Sequence, residues 1–161
     1  AICAPVAAAK AGLEILAEDI GDIKNAVTRF AMVARIGALP PPTGHDKSTL
    51  VLFQKMDYPG GLLGLLEQFA VRGVNMTRLE SRPTGEAMGQ YCFSIDIEGH
   101  VADARVAESL VGLKRVCSDV RFLGSYARAD RVLPTTVPGT EDADFDAAWS
   151  WIEQLRGDAS D

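Results

Sequence analysis

An α+β unit with four strands and two helices in the order βαββαβ is predicted for the middle of the chain from three observations. Residues 50–53, Leu-Val-Leu-Phe, form a continuous apolar run of the length of a buried strand. Tyr91, Phe93, Ile95 and Ile97 alternate with Cys92, Ser94, Asp96 and Glu98, so a further strand has one core face and one wet face. Between and after these runs, two sets of apolar residues recur at helical spacing: Leu62, Leu65, Leu66 and Phe69, then Val106, Leu110, Leu113 and Cys117.

Composition bounds what surrounds that unit. The 161 residues are 47% hydrophobic and 24% charged, ordinary values for a globular protein that exclude a disordered tail, a collagen or a coiled coil. A chain of this size holds one good core with appendages, and two full domains would be cramped. The formal charge of −6 opposes nucleic acid as a partner, since that affinity comes mainly from clustered Lys and Arg. There is no apolar stretch of about eighteen residues, and no basic start leading into a short apolar run, so neither a membrane partner nor an export signal is read and a cytoplasmic chain is expected.

The first elements are sketchier. Ala1-Ile2-Cys3-Ala4-Pro5 resembles the end of a buried strand running into a helix, Pro5 suits a first helical turn, 6–11 are good helix formers, and Gly12 is a stop signal. Leu13-Glu14-Ile15-Leu16 reads as a short strand, 18–22 as an acidic loop, and a second strand is predicted from Thr28 through Phe30-Ala31-Met32-Val33-Ala34. Thirty-six residues cannot form a core alone, so the segment 1–36 is expected to be the remnant of a larger, incomplete α/β body. Residues 37–47, with Pro40, Pro41 and Pro42 in succession, forbid helix and read as an extended linker.

After the linker the strands and helices follow in order. The first strand is placed at 48–55, a turn at Tyr58-Pro59-Gly60 leads to a helix that ends by Arg72-Gly73, and a second strand covers 74–83. Thr84-Gly85-Glu86 is a turn, the alternating strand follows from Tyr91, a helix starts near Ala102, and Val120, Phe122, Gly124 and Tyr126 mark a fourth strand. This order is the split, ferredoxin-like plan, an antiparallel sheet with both helices on one face. RNA-binding modules of that topology display aromatics on the bare face, but Tyr91 and Phe93 share theirs with Ile95 and Ile97 and read as core. A tail helix at about 142–156 carries Phe145, Ala148, Trp149, Ile152 and Leu155, a stripe suited to docking on a domain or subunit.

Cofactors are not implied. Cys3, Cys92 and Cys117 are odd in number and widely spaced, with His45 and His100 the only imidazoles, so buried free thiols are expected and no metal site. A ligand site is implied instead at Pro59-Gly60-Gly61, where a strand turns into a helix: the unpaired N–H groups and positive end of the dipole suit a carboxylate, and glycines admit it closely. A plain strand-to-helix turn would read the same, as Glu80 and Arg82 would read as a solvated ion pair and Thr28 as an ordinary β-branched strand residue.

Three local motifs, Thr28-Arg29-Phe30, Pro59-Gly60-Gly61-Leu62-Leu63, and Glu80-Ser81-Arg82-Pro83 preceded by Asn75-Met76-Thr77-Arg78, together resemble the prephenate dehydratases over residues 1–128. In that family a periplasmic-binding-protein-like catalytic domain ends near Thr-Arg-Phe and is followed by an ACT domain whose Gly-Ala-Leu-Val and Glu-Ser-Arg-Pro motifs bind phenylalanine. The resemblance implies a catalytic remnant at 1–36, a linker at 37–47, an ACT domain at 48–128 and a tail at 129–161. It implies Thr28 as proton donor to the departing hydroxyl of prephenate, Arg29 as a carboxylate partner and Phe30 as packing. It also implies Gly60, Gly61, Leu62, Leu63, Asn75, Met76, Thr77, Glu80, Ser81, Arg82 and Pro83 as an L-phenylalanine effector site, formed between copies of a homodimer or homotetramer. One departure stands out, Gly61 where the family has alanine. Gly37-Ala38-Leu39 also spells the start of the motif but precedes three prolines, so no helix can follow. The alternative is a stand-alone amino-acid sensor or dimerisation module without catalysis.

Overall fold

The computed structural model describes residues 1–24, 28, 30–56, 58–83 and 91–157. The chain divides into two compact units, Ala1–Gly37 and Ala38–Asp161.

In the first unit the helix α1 (Pro5–Ala11) has proline in its first turn and Gly12 at its end, where a left-handed φ of 63° lets the glycine N–H reach the last carbonyls. Only Ala8 is buried. Among the described residues of this unit neither predicted strand forms. The described residues at 13–16, and at Thr28 and 30–34, carry no ladder, and Phe30, Met32 and Val33 are 89%, 98% and 91% exposed. Their apolar, β-favouring composition misled the reading: a strand exists only where a neighbour satisfies its N–H and C=O groups, and no such neighbour occurs among the described residues of this unit.

The second unit is α+β. Its elements are β1 (Asp46–Gln54), α2 (Gly61–Ala70), β2 (Met76–Pro83), β3 (Tyr91–Glu98), α3 (Ala104–Val116), β4 (Cys117–Ala127) and α4 (Asp142–Arg156). The four strands form one antiparallel sheet in the order β2-β3-β1-β4. Alternate residues Leu50, Leu52, Phe93, Ile95 and Ile97 meet Leu65 and Phe69 of α2 and Val106 and Leu113 of α3, all buried, so both helices cover one face of the sheet. Fully burying each such side chain contributes on the order of 1.5–3 kcal/mol, which makes this layer the source of the unit's stability. No helix among the described residues is long and apolar enough to cross a membrane.

Details differ from the expectations. Strand β1 starts at Asp46, inside the predicted linker, because the Asp46 carboxylate accepts the Thr43 N–H (2.7 Å), the Thr43 hydroxyl (2.8 Å) and the Gly44 N–H (3.0 Å) and so locks the turn that launches the strand. Cys117, expected as a helical residue, is the first of β4: its ψ of 157° turns the backbone from helix to strand with no loop between. The free thiols are not uniformly buried, since Cys117 is buried, Cys92 half-buried and Cys3 exposed; burial pushes the Cys117 thiol up to about 11, which makes it a poor nucleophile. The wet face expected for β3 is covered. Asp96 is fully buried and Glu98 nearly so, held by Arg78 (Nε to Oδ2, 3.0 Å) and Arg128 (Nη1 to Oε1, 2.6 Å). The turn at Thr84-Gly85-Glu86 lies outside the described residues.

Candidate ligand-binding cleft

A cleft of about 460 Å³ opens at the N-terminal end of α2. Its rim is the turn after β1. Gly60 adopts φ 86°, a left-handed conformation that costs about 1–2 kcal/mol for most other residues, and thereby starts α2 at Gly61. The Gly61 N–H bonds to the Tyr58 carbonyl (3.0 Å) and the Gly64 N–H to that of Gly60 (3.0 Å), whereas the N–H groups of Leu62 and Leu63 have no acceptor among the described residues. Two free donors and the helix dipole face the opening.

The walls come from the sheet. Ser81 of β2 pairs with Phe93 of β3, which puts both on the helix-covered face, and both line the cleft together with Tyr91. Leu62 and Leu66 of α2 complete an apolar wall, and Gln54 and Tyr58 close the side nearest β1. Aromatic and aliphatic surface thus surrounds a polar mouth of amide and hydroxyl groups, a combination suited to a small molecule with one anionic end and one apolar end.

Of the residues singled out in the sequence, Gly60, Gly61, Leu62, Leu63 and Ser81 are brought together here. The others are not. Glu80 and Arg82 lie opposite Ser94 and Cys92, on the helix-free face, where Glu80 takes ion pairs from Arg82 (3.2 Å) and Arg78 (3.2 Å) that hold its carboxyl below the usual range. Asn75 precedes β2 and accepts the Glu98 N–H through its carbonyl, Met76 packs on the core, and the Thr77 hydroxyl bonds to the Asp96 carbonyl. Pro83 ends β2 opposite Tyr91. In the first unit Thr28 and Phe30 are exposed, and Arg29 lies outside the described residues. The described residues include no cluster of side chains able to hold a metal.

Gln54, Tyr58, Leu66, Tyr91 and Phe93 are cleft residues that the sequence did not assign to a site. Phe93 is both core and cleft wall, so an alternation pattern assigns it to the core alone. Gln54 carried one signal, a polar residue two places after the core residue Leu52 and therefore on the same face of the strand.

No family model matches the chain. Curated relatives do. The chain is 44% identical over 157 residues to a prephenate dehydratase of Amycolatopsis methanolica, covering 97% of this chain and 51% of that protein. It is 42% identical over 156 residues to one of Mycobacterium ulcerans, covering 97% and 47%. Among solved structures it resembles a prephenate dehydratase from Arthrobacter aurescens crystallised in complex with L-Phe, at 53% identity and a TM-score of 0.90 over 96% of this chain and 51% of that one. The chain therefore spans about half the length of the curated relatives it matches.

Proposed function

We propose, the chain being a relative of the prephenate dehydratases, that it carries the L-phenylalanine-sensing part of such an enzyme joined to the closing segment of its catalytic domain. The observation that carries this reading is the cleft: free Leu62 and Leu63 amides at a helix start, an apolar wall of Leu62, Leu66 and Phe93, and the Ser81 hydroxyl, all in a chain 53% identical to a dehydratase solved with L-Phe. In this reading the amino acid's carboxylate takes the amides, its ring the apolar wall, and Ser81 the polar flank.

The second unit is then a ferredoxin-like ACT domain, supported by its strand order and by both α2 and α3 lying against one face. Strand β2 is an edge of the sheet, with backbone groups open to a partner. A homodimer or homotetramer built through such an edge would let Asn75, Met76, Thr77, Glu80, Arg82 and Pro83, which lie away from the cleft of their own chain, approach the ligand of a second copy.

Residues 1–36 in this reading close a periplasmic-binding-protein-like catalytic domain, a role that would pair the exposed apolar side chains of 30–36 with partners outside this chain. Prephenate there loses its ring carboxylate as carbon dioxide and its ring hydroxyl as water to give phenylpyruvate. The Thr28 hydroxyl protonates the leaving oxygen, Arg29 binds a substrate carboxylate and Phe30 packs beside them. Residues 37–47 would connect sensing to catalysis, and inhibition is the expected sign because phenylalanine is the end product of the route that phenylpyruvate feeds. The test is titration calorimetry of L-phenylalanine on the chain and on Ser81→Ala with Arg82→Ala. Binding weakened about tenfold or more in the double variant is expected, and unchanged affinity would move the effector site elsewhere.

A further inference from the structure

Within the proposed effector cleft, the departure at residue 61 and the amide of Gln54 are one feature. A Cβ built on Gly61 would lie 2.7 Å from Gln54 Nε2 and 3.3 Å from the Tyr58 ring. The Gln54 amide therefore fills the space that a methyl group at 61 would need. The backbone of Gln54 is held from behind. At the end of β1 the register shifts between Phe53 and Gln54, and the Ser118 hydroxyl bonds to both the Phe53 and Gln54 carbonyls (3.0 and 3.1 Å), which keeps Gln54 on the helix-covered face beneath the start of α2. The amide itself has no hydrogen-bond partner among the described residues, although Gln54 is half-buried and lines the cleft. No enclosed side-chain nitrogen or oxygen among the described residues lacks a partner, so this amide is open to the cleft, where a bound ligand can take the hydrogen bond that water otherwise makes.

We propose that Gln54 is a ligand-recognition residue: its Nε2 donates a hydrogen bond to the carboxylate of the bound amino acid beside the Leu62 and Leu63 amides, and residue 61 is glycine to make room for it. This rests on the reading of the cleft as an L-phenylalanine site. A third donor to a carboxylate already at a helix N-terminus strengthens a charge-assisted site and selects ligands that carry that charge. Alanine at 61 would push the amide out of this position, since Nε2 is the free end of a flexible side chain and yields before backbone does.

The experiment compares two ligands, L-phenylalanine and its neutral analogue L-phenylalaninamide, by titration calorimetry on the 161-residue chain, with circular dichroism confirming that each variant is folded. Gln54→Ala is expected to weaken L-phenylalanine about tenfold and to change L-phenylalaninamide by less than about twofold. Gln54→Glu, which sets a carboxylate against a carboxylate, should weaken L-phenylalanine further still. Gly61→Ala should weaken L-phenylalanine in the wild-type background and add nothing in the Gln54→Ala background, because the displaced donor is already gone. Equal losses for both ligands in Gln54→Ala, or additive losses in the Gly61→Ala pair, would make Gln54 a packing residue and overturn the assignment while leaving the site intact. Failure of the wild-type chain to bind L-phenylalanine would overturn both.

Discussion

Buried charge is handled residue by residue in the sheet unit. Asp96 is fully enclosed yet takes two bonds from the Arg78 guanidinium, at Nε and Nη2 (3.0 Å each), and one from the Thr49 hydroxyl (2.8 Å). Such a carboxylate tolerates burial only because its lone pairs are filled, and the Asp96 bonds push the Arg78 pKa up in return. Asp46 works similarly at the entrance to β1. Burial raises its pKa, but the Thr43 backbone N–H, the Thr43 hydroxyl and the Gly44 N–H outweigh that and bring it below 3.8. A depressed folded-state pKa means that stability is present above the unfolded value and is lost as pH falls through the folded one. Asp46→Asn should therefore cost about 1 kcal/mol at pH 7, with the gap from wild type closing below about pH 3.8. Urea denaturation at pH 7 and near pH 3 checks this, and a gap independent of pH would assign the loss to packing.

Within the sheet unit, α4 is the element with least hold on the rest. It has a capping box between Glu141 and Asp144 and a left-handed Gly157 at its end, so its helicity is secured locally, yet none of its residues is buried. Its described links to α3 include the Trp149 indole N–H to Glu108 (3.0 Å) and the Ala104 N–H to Asp142 (2.8 Å). Truncation after Thr140 is expected to lower stability by about 1 kcal/mol or less. Because both tryptophans of the chain, Trp149 and Trp151, lie in α4, the transition must be followed by circular dichroism. A loss of several kcal/mol would mean that the aromatic stripe packs on something beyond these bonds. The strands teach a different lesson. β3 was legible because Phe93, Ile95 and Ile97 alternate with polar residues, whereas 13–16 and 30–34 have equally strand-like composition and form none, since a ladder needs a second strand and composition does not supply it.

For the whole molecule, the proposed function divides sensing from chemistry. The sheet unit contains the cleft, while Thr28 belongs to the other unit and is exposed there. The 161-residue chain, about half of the relatives it matches, is expected to bind L-phenylalanine and not to turn over prephenate; conversion above the spontaneous rate would refute that division. Light scattering with L-phenylalanine present should give a mass of two or more copies, and a monomer at high concentration would exclude a site shared between chains. What the sequence determined by itself is the local layer: the βαββαβ order, the core face of β3, the turn at Gly60 and the helix it opens, because period, turn chemistry and capping act over a few residues. What only the tertiary structure decided is which of those residues meet. The Gly60 turn and Ser81 share a cleft while Glu80 and Arg82 face the other way, since one residue along a strand reverses the face. The burial of Asp96 and the place of Gln54 beneath Gly61 were decided there too, because Asp96 is enclosed by Arg78 and Thr49 of other strands and the Gln54 carbonyl is held by Ser118 of β4.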